Sequence, residues 1–173
     1  MPFPHVAALV VALVGCISDV KTRRIPNVLT FGAAAGALGF HLADSGWTGL
    51  GWSLAGWLVG AALFFPMFAL RGLGGGDVKL LAALGAWVGP GQTVWLAAFS
   101  AIAGGVLALG MALARGYTKQ AFTNVWALLG YWKVMGLKPH PGMSLDASSG
   151  TTAPRVPYAL PIAAGLVMTL WLR

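Results

Sequence analysis

Apolar residues fill this chain in long stretches, and polar residues gather in the breaks between them. A helix needs roughly 20 apolar residues to cross a hydrocarbon core, fewer if the bilayer thins locally. Six stretches approach that length, covering approximately residues 3–24, 28–44, 49–70, 78–90, 92–114 and 156–172. The fourth holds about 13 residues before Gly89-Pro90, which is short for a crossing. It is expected to be half buried or to pack behind its neighbours. Glycine and alanine crowd the runs, as from Gly32 to Gly36 and at Gly104-Gly105. Such residues suit helices in lipid, where small side chains let backbones approach. The pattern predicts an all-α polytopic membrane bundle of about six transmembrane helices, forming a single domain over residues 1–173.

Composition agrees with the pattern. The chain is 58% hydrophobic and 9% charged, too apolar for an ordinary water-soluble domain. Its 11 lysines and arginines against four acids give a net charge of +7. A basic balance can indicate nucleic acid, but these cations fall between apolar runs, so membrane topology explains them and no nucleic-acid partner is expected. Lys21, Arg23, Arg24, Arg71, Lys79, Arg115, Lys119, Lys133, Lys138 and Arg155 all follow runs one, three and five. The positive-inside bias turns those connections to the cytoplasm and leaves the N-terminus, the Asp44 loop, the Pro90 turn and the Arg173 end outside. Trp47, Trp52, Trp87, Trp95 and Trp171 lie near the outer ends of their runs, where an aromatic belt would form.

The connection over about 115–155 is long. Phe122, Val125, Trp126, Leu129 and Trp132 recur at helical spacing and predict an amphipathic helix lying on the membrane surface. The stretch that follows is rich in Pro, Gly, Ser and Thr and reads as a mobile linker, with His140 and Asp146 as solvated residues within it. A single cysteine, Cys16, excludes an internal disulfide and a Cys-rich zinc site. It reads as a small apolar helix residue. The N-terminal MPFPH carries no cationic segment and no small-residue cleavage site ends the first run, so a removable signal peptide is not expected.

Charges in or near a bilayer are costly and are usually retained for a purpose. The four acids are all aspartates. Asp44, close to His41, reads as a solvated turn acid. Asp19 and Asp77 each lie at the cytoplasmic end of an apolar run. Asp19 opens Asp19-Val-Lys-Thr-Arg-Arg-Ile-Pro26-Asn27. Pro26 disfavours the α region at Ile25, so the first helix should end near Arg24. Asp19 would then stand roughly 7–8 Å inside that end. The alternative is a surface acid balancing Lys21 and Arg23. Asp77 follows Gly72-Leu73-Gly74-Gly75-Gly76 and precedes an apolar run. An aspartate N-cap after a flexible loop is the structural alternative there. A phosphate-binding loop fits poorly, because no Gly-Lys-Ser/Thr follows and the Asp would repel the anion.

Together, Asp19 with Lys21-Thr-Arg-Arg-Ile-Pro-Asn27, then Gly74-Gly75-Gly76-Asp77-Val78-Lys79, then Val156-Pro157-Tyr158-Ala159-Leu160-Pro161 resemble the type IV prepilin peptidase family, the GxGD membrane aspartyl proteases. The resemblance spans nearly the whole chain and is nearest to short, peptidase-only members of the CpaA/TadV kind found with Flp-type pilus systems. It implies cleavage of the basic leader from prepilins and pilin-like precursors at the cytoplasmic face of the bacterial inner membrane, with Asp19 and Asp77 as catalytic carboxylates. Larger relatives carry an N-terminal segment with paired cysteines and also N-methylate the new terminus. This chain shows neither that segment nor the paired cysteines, so methyl transfer is not expected. Prepilin precursors and membrane lipids are the expected partners, and no metal or cofactor is implied.

Peptide hydrolysis by two carboxylates needs one to deprotonate a water and the other to donate a proton, which a close pair sharing one proton supplies. Asp77 near a helix N-terminus should favour the anion and Asp19 near a helix C-terminus the acid. Lys21 and Lys79 could blunt that difference. Gly74, Gly75 and Gly76 either open to admit an extended peptide or only relieve crowding; with Lys21, Lys79, Pro26 and Asn27 they form the substrate-binding or loop-shaping set. Paired membrane acids also serve proton-coupled transporters, though those predict acids near mid-bilayer on broken helices. A catalytically silent assembly subunit is a third reading.

Overall fold

The computed structural model describes residues 2–69, 73–114, 116, 118, 123, 126 and 158–172. These residues form helices and no strand. The helices are α1 (Phe3–Thr22), α2 (Asn27–Ala69), α3 (Gly75–Val88), α4 (Pro90–Ala114) and α5 (Ala159–Trp171). By length and apolar character α1, α2 and α4 could each cross a membrane, and α5 is a shorter apolar helix. The amphipathic helix and linker expected over 115–155 lie outside the described residues, apart from Gly116, Thr118, Thr123 and Trp126.

At 43 residues α2 would be about 65 Å long if straight, roughly twice the hydrocarbon thickness. It is not straight. Gly46 takes φ 62° and ψ −147°, a conformation open to glycine, and the chain folds back there. The Gly49 backbone closes against the His41 carbonyl, leaving no room for a side chain. One half then runs alongside α3, from Asn27 beside Lys79 to His41 beside Trp87. The other runs back along α3, from Ser53 on the Ala86 carbonyl to Phe68 beside Gly75. The two halves coincide with the apolar runs at 28–44 and 49–70.

The hairpin wraps α3, which also contacts α1, α4 and α5 and forms the centre of the bundle. Leu80, Leu81 and Leu84 are fully buried, and every residue from Asp77 to Val88 except Lys79 is buried. The fourth run is therefore the core helix rather than a half-buried one. Glycine makes the close packing possible. Gly56 in α2 and Gly85 in α3 are each pressed against the other's carbonyl, and Gly60 sits on the backbone of Leu81 and Ala82. Small residues here exchange side-chain volume for backbone contact.

At the end of the bundle that holds Gly46, the rings of Phe3, Phe40 and Trp87 cluster with centroids 4.9–6.1 Å apart. Trp87 is therefore not a lipid-facing belt residue as expected, because it fills the gap between α1 and α2 and is buried. Trp47, Trp52, Trp95 and Trp171 are exposed.

Candidate active site

The candidate site lies at the opposite end, where α1 stops and α2, α3 and α5 begin. α1 ends at Thr22, two residues earlier than Pro26 alone suggests, because Arg23 adopts the left-handed conformation (φ 52°) and its N–H closes on the Asp19 carbonyl at 2.8 Å. Ser18 Oγ donates to the Arg24 carbonyl at 2.9 Å and holds the turn. Asp19 thus stands in the last turn of α1, and it is only 8% exposed.

Asp77 lies inside the first turn of α3, at the third helical position. The N-cap is Gly74 rather than Asp77. The Asp77 carboxyl folds back to accept the Gly74 N–H at 3.2 Å, while its own N–H donates to the Gly74 carbonyl at 3.1 Å. The carboxylate thereby satisfies a donor that the helix start would otherwise leave open.

The two aspartates share one cavity of about 260 Å³, lined also by Arg23, Arg24, Ile25, Asn27, Gly74 and Gly76. They stand close enough for their charges to act on each other. Asp19 Oδ2 accepts the backbone N–H of Ala159 at 3.1 Å, across 140 residues of sequence. Each carboxyl thus receives one backbone N–H from the start of a helix. Among the described residues, no hydrogen bond reaches the other oxygen of either group. Nor does any His, Cys, Asp or Glu cluster there offer three metal ligands.

Of the other expected site residues, Asn27, Gly74 and Gly76 line the cavity, whereas Lys21, Pro26, Gly75 and Lys79 do not. Lys21 and Pro26 are exposed beside it. Lys79 turns to α2, donating to Asn27 Oδ1 at 3.0 Å and lying 5.3 Å over the Phe31 ring. Its ammonium ties two helix starts together instead of facing the carboxyls. Gly75 and Gly76 are helical, not an open loop. A Cβ on Gly75 would stand 3.3 Å from the Phe68 ring, and one on Gly76 3.2 Å from Ile25 Cβ. They relieve crowding and let Ile25 close against α3. Ile25 and the Ala159 N–H went unforeseen from sequence. Ile25 offers only its place before Pro26 as a signal, and a backbone donor offers none.

The profile of the type IV leader peptidase family matches residues 6–109, more than half the chain and both aspartates. This chain belongs to the type IV leader peptidase family. It is 34% identical over 106 residues to the prepilin leader peptidase/N-methyltransferase of Aeromonas salmonicida (strain A449), covering 57% of this chain and 36% of that protein. The similarly named protein of Aeromonas hydrophila matches to the same extent. That of Dickeya chrysanthemi is 40% identical over 78 residues, 41% of this chain and 27% of its own length. The chain spans about a third of the length of the curated relatives it matches. No solved structure matches it. The family is one of peptidases, and the apolar helices fit a membrane protein.

Proposed function

We propose that this chain is a membrane aspartyl endopeptidase that removes the leader peptide from type IV prepilin or Flp-type pilin-like precursors at the cytoplasmic face of the bacterial inner membrane. The cavity shared by Asp19 and Asp77 carries this reading. Two carboxyls that share a proton, each with one oxygen that accepts no hydrogen bond among the described residues, have the parts that peptide hydrolysis needs. The ionised partner takes a proton from a water, which attacks the scissile carbonyl. The protonated partner gives its proton to the carbonyl oxygen, and the leaving amine is protonated as the tetrahedral species collapses. Because both groups are held by helix starts, the acid and base roles belong to the coupled pair rather than to either residue.

In the membrane arrangement that suits this chemistry, the six apolar helical segments all cross or enter the bilayer. The N-terminus and the Gly46 fold lie outside and the carboxyl cavity at the inner leaflet. The basic residues Lys21, Arg23 and Arg24 beside the cavity favour that orientation. Asn27, Gly74 and Gly76 shape the wall past which the substrate backbone would pass, and Lys79 acts on that wall through Asn27.

The test is cleavage of a prepilin precursor by the purified protein in detergent, compared with Asp19→Ala and Asp77→Ala. Cleavage lost in both variants supports the proposal. Cleavage that survives either substitution defeats it, and proton flux in vesicles without cleavage would favour a transporter.

A further inference from the structure

The bond between Asp19 and Ala159 ties the carboxyl cavity to a helix outside the stretch matched by the family profile. Both backbone groups of Ala159 are engaged by α1. Its N–H donates to Asp19 Oδ2 and its carbonyl accepts from Cys16 Sγ, each at 3.1 Å. Cys16 and Asp19 are three residues apart and so share one face of α1. Ala159 is completely buried between them.

The other side of the same turn is fixed on α4. The hydroxyl end of Tyr158 lies against Gly104 where any side chain would collide, and about two turns further along α5 Gly165 closes on Ser100. The start of α5 is therefore wedged between α1 and α4. Arg23 and Arg24 line the same cavity, yet among the described residues neither forms an ion pair with Asp19. The group that orients this carboxyl is a backbone amide, which is fixed in direction as no flexible cation would be.

We propose that the first turn of α5 is the positioning element for Asp19: the Ala159 N–H aims the carboxyl into the cavity, and the Cys16 thiol holds Ala159 where it can do so. The inference rests on the peptidase reading above. Cys16 and Ala159 are positioning residues, since neither lines the cavity. An aspartate side chain otherwise moves among staggered rotamers. Displacing a reacting group by about 1 Å can cost on the order of a hundredfold in rate, so an amide that selects one rotamer acts on turnover and leaves substrate binding nearly untouched.

The experiment uses the full chain in detergent with a prepilin precursor, reading kcat and KM separately. Cys16→Ala deletes the donor, and kcat should fall about fivefold or more with KM held within about twofold. Cys16→Ser keeps a donor and should restore most of the loss. Ala159→Pro removes the N–H and should lower kcat by about tenfold or more, but it also strains Tyr158, whose helical backbone a following proline disfavours, so it is read only beside the Cys16 pair. Undiminished kcat in Cys16→Ala overturns the proposal, as does a Cys16→Ser protein as slow as Cys16→Ala, which would reduce the effect to packing. If Ala159→Pro does not fold, the Cys16 pair alone decides. Wild-type protein that cuts no precursor would defeat the peptidase reading itself, whereas wild-type cleavage matched by Cys16→Ala defeats only the positioning role.

Discussion

Asp19 and Asp77 face one cavity but are held in opposite ways. Asp77 is held by its own neighbourhood: the amide that reaches its carboxyl belongs to Gly74, three residues back, and both stand at the start of one helix. Asp19 is held by the far end of the chain, through an amide in α5. A local hold needs only a helix to start in the right place. A non-local one needs the whole bundle to close, so half of the site is built by a turn and half by tertiary packing.

The largest effect that could break this comparison is on turnover. Asp19→Ala and Asp77→Ala should each reduce precursor cleavage by about 10³-fold or more, since each removes one partner of the proton exchange. Retention of a tenth of the rate by either would show that the two carboxyls are not equal partners. Next comes the packing on which the non-local hold depends. A side chain at Gly85 would run into the Gly56 carbonyl and Thr93. Gly85→Ala should therefore cost about 1–3 kcal/mol, read as a lower unfolding midpoint in detergent.

The same measurement separates the two aspartates. Asp19→Ala leaves the buried Ala159 N–H without its partner and should destabilise by about 1–3 kcal/mol. Asp77→Ala loses only a helix-start bond, at about 1 kcal/mol. Equal losses would mean that the two holds do not differ. Smaller still is Lys79→Met, which releases the Asn27 tether on a partly exposed surface and should cost about 1 kcal/mol or less. Asp44→Asn, at the exposed end of the bundle just before Gly46, where among the described residues Asp44 accepts a hydrogen bond from Ser45 alone, should leave both stability and cleavage within about 0.5 kcal/mol of wild type.

Much of the helical layout was legible in the residues. The runs at 28–44 and 49–70 are the two halves of α2, and the break between them falls at Gly46 because glycine alone takes that conformation easily. The short fourth run was legible as an element but not as the centre of the bundle. A helix buried on every side shows no polar face to distinguish it from one bathed in lipid. Trp87 illustrates the same ambiguity: tryptophan near a helix end fits an interfacial belt, yet here it fills a gap between two helices. Lys79 was legible as a cation beside an aspartate, but the direction of its side chain depends on where Asn27 and Phe31 arrive. Its sequence neighbour did not become its partner.

What the sequence determined by itself was the class of structure, from apolar runs and their glycine and proline breaks, and the two acids worth weighing, because four carboxylates in so apolar a chain leave few choices. It placed Asp77 at a helix start, though as a candidate N-cap rather than at the third helical position it occupies behind Gly74. The tertiary structure decided which amide Asp19 Oδ2 accepts from. That bond joins residues 140 apart, and no local preference encodes the place where a distant backbone amide comes to rest. The expected contrast between an anionic Asp77 and a protonated Asp19 followed correctly from the helix each occupies. What those two helices leave out is a third helix start at Asp19, where only the folded chain could bring it.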